Sequence, residues 1–409
     1  MQRVALGELF HVRSSKRVLK SQWKSSGVPF YRGREITRLA ADGLVDNELF
    51  ISENDYAKYA AKHGVPSPGD IVITAIGTIG NAYIVREGDR FYFKDASVLW
   101  LKKDAVVSSE FINLWLKSQQ FYDQLDKGNG ATVDTLTIKK LQSVLVELPP
   151  LPEQKRIVAI LDEAFAAIAT ATANAEKNLA NARELFTSKL HQVYGFPKST
   201  WREVLLSELA DHSLGKMLDK KKNRGTAKKY LRNLNVRWFD FDLSDLLEMR
   251  FESSEQDKYT VRYGDLLICE GGYPGRAAIW ESSEDIHFQK AIHRVRFHDP
   301  RHTKWFLYYL YYMDVTGSIK KYFTGAGIQH FTGKALAQVR VPVPSSGEID
   351  EYVEGFDLGR RASVDLSGIH QQKMHLLSDL KQSVLHKAFT GELTANAKTA
   401  DRALSEAGV

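Results

Sequence analysis

Short apolar runs of strand-like texture fill the first third of this chain, a long helical pattern follows, and then the order repeats. The segments 70–76 (DIVITAI), 81–85 (NAYIV) and 91–101 (FYFKDASVLWL) are rich in β-branched and aromatic residues between Gly and Pro punctuation, which predicts short strands. A helical pattern comes late, over 110–125 (EFINLWLKSQQFYDQL), and 143–149 (SVLVELP) reads as a closing strand. From 153 to 193 there is neither Gly nor Pro, and Ala, Glu, Lys, Leu and Gln dominate. That stretch predicts one helix, roughly 60 Å long at about 1.5 Å per residue. Strand-like runs then return at 265–270 and 277–280, a helical run at 303–323, a closing strand at 338–344 and a second long helix at about 349–389.

Residue identities repeat along with texture. Val4-Ala5-Leu6-Gly7-Glu8-Leu9 resembles Val204-Leu205-Leu206-Ser207-Glu208-Leu209, and Phe30-Tyr31-Arg32 meets Tyr230-Leu231-Arg232, both at a shift of 200. Beyond Gly69 the shift is 195, so the first copy carries five extra residues between Ile36 and Gly69. Gly69-Asp70-Ile71-Val72-Ile73 then meets Gly264-Asp265-Leu266-Leu267-Ile268, and Gly80, Ala82 and Ile84 meet Gly275, Ala277 and Ile279. A constant shift over more than a hundred positions marks a tandem duplication.

The first long helix places Ile157, Leu161, Ala164, Ile168, Ala171, Ala175, Ala182 and Leu185 at near-heptad spacing. The second offers Ile349, Val353, Phe356, Val364, Met374, Leu377, Leu380, Val384 and Leu385, with kinks or breaks expected at Gly355, Gly359 and Gly368. A lone helix of this length would leave its seam wet, so the two are expected to pair. The fold class expected is therefore α+β: a tandem duplication of a mixed α/β domain, each copy followed by a long helix, the helices pairing as an antiparallel coiled coil. The divisions expected are 1–148, 149–197, 198–344 and 345–394, with 395–409 as a disordered tail. At the first joint, LPPLPEQKR, Pro149 and Pro150 end the strand, Pro152 suits the first helical turn, and Glu153 faces the positive end of the helix dipole.

Composition narrows the class. Of 409 residues, 43% are hydrophobic, enough for ordinary cores, and the net charge of +6 hints at a polyanionic partner without demanding one. A single cysteine, Cys269, excludes a disulfide framework and a cysteine-based metal site. With no signal-like start and no continuous apolar run of membrane-spanning length, a soluble, cytoplasmic protein is expected.

The junction LPPLPEQKRIVAILDEAF before a long helix, with LKQSVLHKAFTGEL closing the second copy, resembles the specificity subunit of type I restriction–modification systems. GDIVITAIGTIGNAYIV and GDLLICEGGYPGRAAIW are similar to that family's target recognition domains. The resemblance covers about residues 1–394. It implies two target recognition domains, each reading half of a split site in double-stranded DNA, and paired helices that dock DNA methyltransferase subunits, two of them, and endonuclease/translocase subunits. Glu153, Gln154, Lys155 and Arg156 are the partner-docking candidates. The second junction, VPVPSSGEIDEYVEGF, lacks Pro-Leu-Pro-Glu-Gln.

If the domains read DNA, cations should gather at equivalent loops. Arg13, Lys16, Arg17, Lys20 and Lys24 do so in the first copy; Lys216, Lys220, Lys221, Lys222, Arg224, Lys228 and Lys229 do so in the second. Such residues neutralise phosphates, whereas sequence is read by Arg on guanine and by Asn or Gln on adenine. Candidate readers are Arg32 and Arg34 against Arg232, Asn233, Asn235 and Arg237, then Thr78 and Asn81 against Tyr273 and Arg276. Lys94 faces Gln289 and Lys290, and Asn129 in a Gly-Asn-Gly loop faces Gln329 and His330. The tyrosine-rich WFLYYLYYM reads as helix core.

Chemistry is sparse. There is no Asn/Asp-Pro-Pro-aromatic motif, the phosphate-loop-like stretch at 327–335 has the wrong spacing, and the histidines lack metal spacing. No catalytic residue, metal or cofactor is expected. The alternative reading is a stand-alone DNA-binding regulator or scaffold on the same two-headed plan, which would not need two long helices.

Overall fold

The alternating runs become strands and the two Gly/Pro-poor stretches become helices in the computed structural model, which describes residues 2–125, 135–219, 221 and 223–393. The chain forms two compact units, one made of residues up to Asn174 together with those from Lys373 onward, the other of Ala175–Gln372. Both divisions fall inside a long helix.

In the first unit, Gln2–Ala5 pairs antiparallel with Leu145–Leu148, tying the start of the domain to its closing strand. A four-stranded antiparallel sheet runs in the order Phe10–Arg13, Val98–Lys103, Ile71–Thr74, Ala82–Ile84. A second, three-stranded sheet holds Phe50–Ile51, Val28–Tyr31 and Tyr92–Phe93, the last two parallel. Trp115, Phe111, Phe121 and Leu6 share the core beside the four-stranded sheet.

The second unit repeats this frame residue by residue. Ile71 lies opposite Ile84 in the first unit and Leu266 opposite Ile279 in the second. Phe30 lies opposite Tyr92, and Tyr230 opposite His287, both in parallel pairs. The glycines that repeat are those whose backbone is left-handed: Gly77 and Gly272 both have φ +79°, and Gly80 and Gly275 have +95° and +88°. An L side chain is strained there. Agreement fails where the five extra residues were counted. The first unit has helices Gly33–Asp42 and Glu53–His63; the second has the hairpin Val236–Arg237/Asp240–Phe241 and the strand Leu247–Phe251.

The long helices are Leu151–Tyr194 and Ser346–Phe389, each 44 residues. Within the first unit, Ile157 and Leu161 share a core with Leu385, Ala388 and Phe389, and Lys381 Nζ stands 5.3 Å from the Phe165 ring centroid. Within the second, Ser363 Oγ donates to the Ala182 carbonyl at 2.7 Å and Lys189 Nζ to the Gly355 carbonyl at 2.7 Å. In each unit one number rises as the other falls, so the pairing is antiparallel, as expected. The seam follows sevens through Leu161, Ile168, Ala175 and Ala182, and through Ile349, Phe356 and Ser363, all buried. Leu185, Val364 and Leu380, expected on the seam, are exposed instead; Phe186 takes the buried place beside Leu185.

Three helix expectations are corrected. The second long helix is unbroken at Gly355, Gly359 and Gly368. A Cβ on Gly355 would stand 3.2 Å from Lys189 Nζ, and one on Gly359 3.4 Å from Lys189 Cδ, so these two glycines admit the neighbouring helix rather than break their own. Conversely, 110–125 divides into Ser109–Trp115 and Gln119–Asp123, with the Ser118 hydroxyl donating to the Trp115 carbonyl at the step. The run 303–323 also divides, at Gly317 with φ +73°, after Arg301–Val315, whose Trp305, Phe306, Tyr308 and Leu310 are core residues as expected. Leu151–Tyr194 is long and apolar enough, by length and composition only, to cross a membrane. Its alanines supply much of that character; of its larger apolar side chains Ile157, Leu161 and Phe186 pack within the units, whereas Leu185 is exposed.

Candidate nucleic-acid interface

In the first unit three segments meet. A Cβ on Gly33 would lie 3.8 Å from Thr74 Cγ2 and 3.9 Å from the Ser97 carbonyl oxygen, which places the start of helix Gly33–Asp42 against the 74–81 loop. Asn81 Nδ2 donates to Thr37 Oγ1 at 3.2 Å, and the Lys94 amide donates to the Tyr31 carbonyl at 2.8 Å. Thr78 and Lys94 are exposed on this face. Asn129 lies outside the described residues.

Arg32 and Arg34 are there too, but as struts. Glu35 is 1% exposed, and a buried carboxylate needs partners. Arg32 Nη2 and Nε reach it at 2.8 and 3.1 Å, Arg34 Nε at 3.0 Å, and Arg34 Nη2 continues to Glu48 at 2.7 Å. Burial alone would raise the pKa of Glu35; the side-chain and backbone hydrogen bonds from Arg32, with that from Arg34, bring it down to about 2. Arg32 and Arg34, candidate base readers, thus have guanidinium nitrogens engaged by Glu35 and Glu48.

The second unit shows the same division between props and presented groups. Arg232 Nη2 donates to Asp245 Oδ2 at 2.6 Å, and Asn235, 2% exposed, accepts from the Arg232 amide and donates to the Asp242 and Asp245 carbonyls. Asn235 holds a loop and cannot reach a base. Arg237 donates to the Leu234 carbonyl and, at 3.4 Å, to Asp242. Nearby lie Asn233 and Arg276, both half-buried, and Tyr273 and His330, both exposed. Asn233 Nδ2 donates to the Gly271 carbonyl at 3.0 Å, Arg276 Nη2 donates to the Asn233 carbonyl at 3.0 Å, and the Arg276 guanidinium carbon lies 5.2 Å from the Tyr273 ring centroid. A Cβ on Gly271 would meet His330 Nδ1 at 3.2 Å, so the 324–330 loop closes on the same spot. Gln329 and Lys290 are exposed.

Cations flank both. Lys16, Arg17, Lys20 and Lys24 are exposed, while Arg13 stacks over Trp100 at 5.3 Å. In the second unit Lys221, Arg224, Lys228 and Lys229 are exposed; Lys220 and Lys222 lie outside the described residues. Lys216, the positional match of Lys16, is corrected: it is 7% exposed, pairs with Glu255 and lies over the Phe251 ring, so it serves the fold rather than a phosphate.

The joints differ as their sequences do. Gln154, expected at a docking surface, is 2% exposed; its Oε1 accepts from the Ser108 amide at 2.9 Å and its Nε2 donates to the Pro149 carbonyl at 2.8 Å. It locks helix to domain from inside. Its counterpart Ile349 is buried without polar atoms, and that joint is held by Glu348, which accepts from the Ser345 amide and hydroxyl and pairs with Lys198 at 2.8 Å. Lys155 is exposed, and Glu153 and Arg156 are half-buried.

Among the described residues no group of three or more His, Cys, Asp or Glu could hold a metal ion. Missed by the sequence reading were the props: Glu35, Asp245, Asp314 and Trp238. Only Glu35 carried a local signal, three residues after Arg32 as in a capping box.

Residues 1–179 match the family described as "Type I restriction modification DNA specificity domain". A Haemophilus influenzae protein assigned as a type I restriction enzyme specificity subunit is 36% identical over 163 residues, 39% of this chain and 39% of that one. The chain thus spans about two fifths of that relative in the matched region. The type I restriction enzyme MjaVIII specificity subunit of Methanocaldococcus jannaschii is 22% identical over 360 residues, 83% of this chain and 82% of that one. A structure solved for complex assembly and conformational transition of a type I R-M system shares the fold, with a TM-score of 0.74, 20% identity and coverage of 96% of this chain and 98% of that one.

Proposed function

We propose that this chain is a type I restriction–modification specificity subunit, a reading supported by the domain match over residues 1–179 and by the shared fold, and that it reads a bipartite site in double-stranded DNA, one half through each unit. The observation that carries this is the duplicated frame with unlike contents. Strand registers and left-handed glycines coincide, yet where one loop has Thr78 and Asn81 the other has Tyr273 and Arg276 at the matched positions. One scaffold with two sets of readers is what two different half-sites require. Exposed cations beside each loop supply phosphate affinity. The paired helices dock DNA methyltransferase subunits, two of them, and the endonuclease/translocase subunits, and the chain itself contributes recognition rather than catalysis.

The test is a domain exchange in cells carrying the cognate methyltransferase. Replacing residues 1–148 by those of a relative and mapping genomic methylation is expected to change one half of the methylated site and leave the other intact. Changes in both halves overturn independent reading. A chain that purifies alone beside its co-expressed methyltransferase overturns the subunit role in favour of a stand-alone regulator.

A further inference from the structure

Arg276 in the second unit is half-buried, with its Nε enclosed and without a hydrogen-bond partner, and its guanidinium is held by several neighbours. Arg276 sits at the end of the loop Gly271–Arg276, which enters the strand Ala277–Ile279. Its Nη2 is tied to the Asn233 carbonyl at 3.0 Å, and its guanidinium lies against the Tyr273 ring at 5.2 Å. Tyr273 is 46% exposed, so packing does not fix its ring. A carboxylate does. Asp314, at the end of helix Arg301–Val315, accepts from Tyr273 Oη at 3.2 Å and from Trp238 Nε1 at 3.2 Å. Trp238 lies beside the hairpin strand Val236–Arg237, so one side chain ties the loop, the hairpin and the helix together.

The glycines make room for the arrangement. A Cβ on Gly272 would fall 2.2 Å from Asn233 Nδ2, and Gly272 has φ +79°. Gly275, with φ +88°, accommodates Ile319, whose Cδ1 would be 2.4 Å from an added Cβ. Partial burial pushes the Asp314 carboxyl up while the Tyr273 and Trp238 hydrogen bonds pull it down, the balance being a raised pKa. Among the described residues the matched loop of the first unit shows no such chain: Thr78 and Asn81 occupy the positions of Tyr273 and Arg276, and Asn81 is tied to Thr37 instead.

Resting on the DNA-reading function above, we propose that Arg276 reads a guanine in the half-site of the second unit, and that Asp314, acting through Tyr273, is the positioning residue that sets its orientation. An arginine fork meets O6 and N7 of guanine only when held in plane, and a stacked aromatic with a fixed hydroxyl provides that plane. Asp314 itself touches no base.

The experiment selects randomised DNA duplexes with the full chain in complex with its methyltransferase, and sequences the bound pool. The wild-type complex is expected to yield a two-part consensus containing a guanine in the half assigned to the second unit. Arg276→Gln should cut the preference for that guanine by roughly 10- to 100-fold, within the range of one bidentate contact. Tyr273→Phe keeps the ring and loses only the hydroxyl; Asp314→Asn keeps the shape. Both should weaken preference at that same base by about 3- to 10-fold, with the other half-site and the salt dependence unchanged. Unchanged preference at the remaining bases of the second unit's own half-site doubles as the test of folding. If Arg276→Gln returns the wild-type consensus, the assignment is wrong. If it alters one base while Tyr273→Phe and Asp314→Asn alter none, the positioning role is wrong. If the wild-type complex selects no consensus, the DNA-reading function falls and this proposal with it.

Discussion

Replacing Gln154 by Ile converts the first joint to the residue at the matched position of the second, and the cost can be worked from what Gln154 touches. It satisfies the Ser108 amide at 2.9 Å and the Pro149 carbonyl at 2.8 Å, at 2% exposure. Leaving each of two buried backbone groups unpaired costs ~1–3 kcal/mol. Burying an isoleucine in place of an amide returns up to ~2 kcal/mol. The net expectation is a loss of about 2–3 kcal/mol, or roughly 5–10 °C in melting temperature for a unit of this size. The assay is thermal unfolding of the purified chain followed by circular dichroism, with co-purification of the methyltransferase measured in parallel. Lys155→Ala, an exposed neighbour, is the control and should stay within ~0.5 kcal/mol of wild type. Melting unchanged in Gln154→Ile while the methyltransferase is lost would refute the reasoning, because it would make Gln154 a docking residue after all.

Glu35→Gln should destabilise the first unit by about 3 kcal/mol at neutral pH, from the fall of its pKa to about 2. Because the unfolded state binds the proton more readily, that contribution is complete above the ordinary carboxylate range and is lost as pH falls through about 2, so wild type and variant should converge in acid urea titrations. Lys20→Ala should lower the salt slope of DNA binding by about 1, whereas Lys216→Ala should leave the slope alone and lower the melting temperature; equal slopes for wild type and Lys20→Ala would count against the phosphate role. Deleting four residues within 165–182, about one helical turn, should change the gap between half-sites in methylation maps and leave both half-sequences intact; an unchanged gap would mean the helices are not the ruler.

How much could be read beforehand depended on whether a residue's role was periodic or local. Heptad spacing survives as the buried series Leu161, Ile168, Ala175 and Ala182, because side-chain direction on a helix follows position alone. Even so, the choice of Phe186 over Leu185 and of Ser363 over Val364 for the seam came from the partner helix, whose contours no single-helix pattern contains. Gly355 and Gly359 looked like breaks for the same reason: the bulk they make room for belongs to Lys189 and Phe186, more than 160 residues earlier.

The sequence by itself determined the duplication, the strand frame, the existence of both long helices and the loops where cations gather. Those follow from spacing, and spacing is carried by the chain in order. Only the tertiary structure decided which polar groups are props and which are presented. Arg32, Arg232, Asn235, Lys216 and Gln154 have the same chemistry as a base or phosphate reader, and what removes them is a partner brought alongside by folding: Glu35, Asp245, the Asp242 carbonyl, Glu255 and the Ser108 amide. A buried charge or amide must be satisfied wherever the fold puts it, and four of those five partners lie from seven to 46 residues away in sequence.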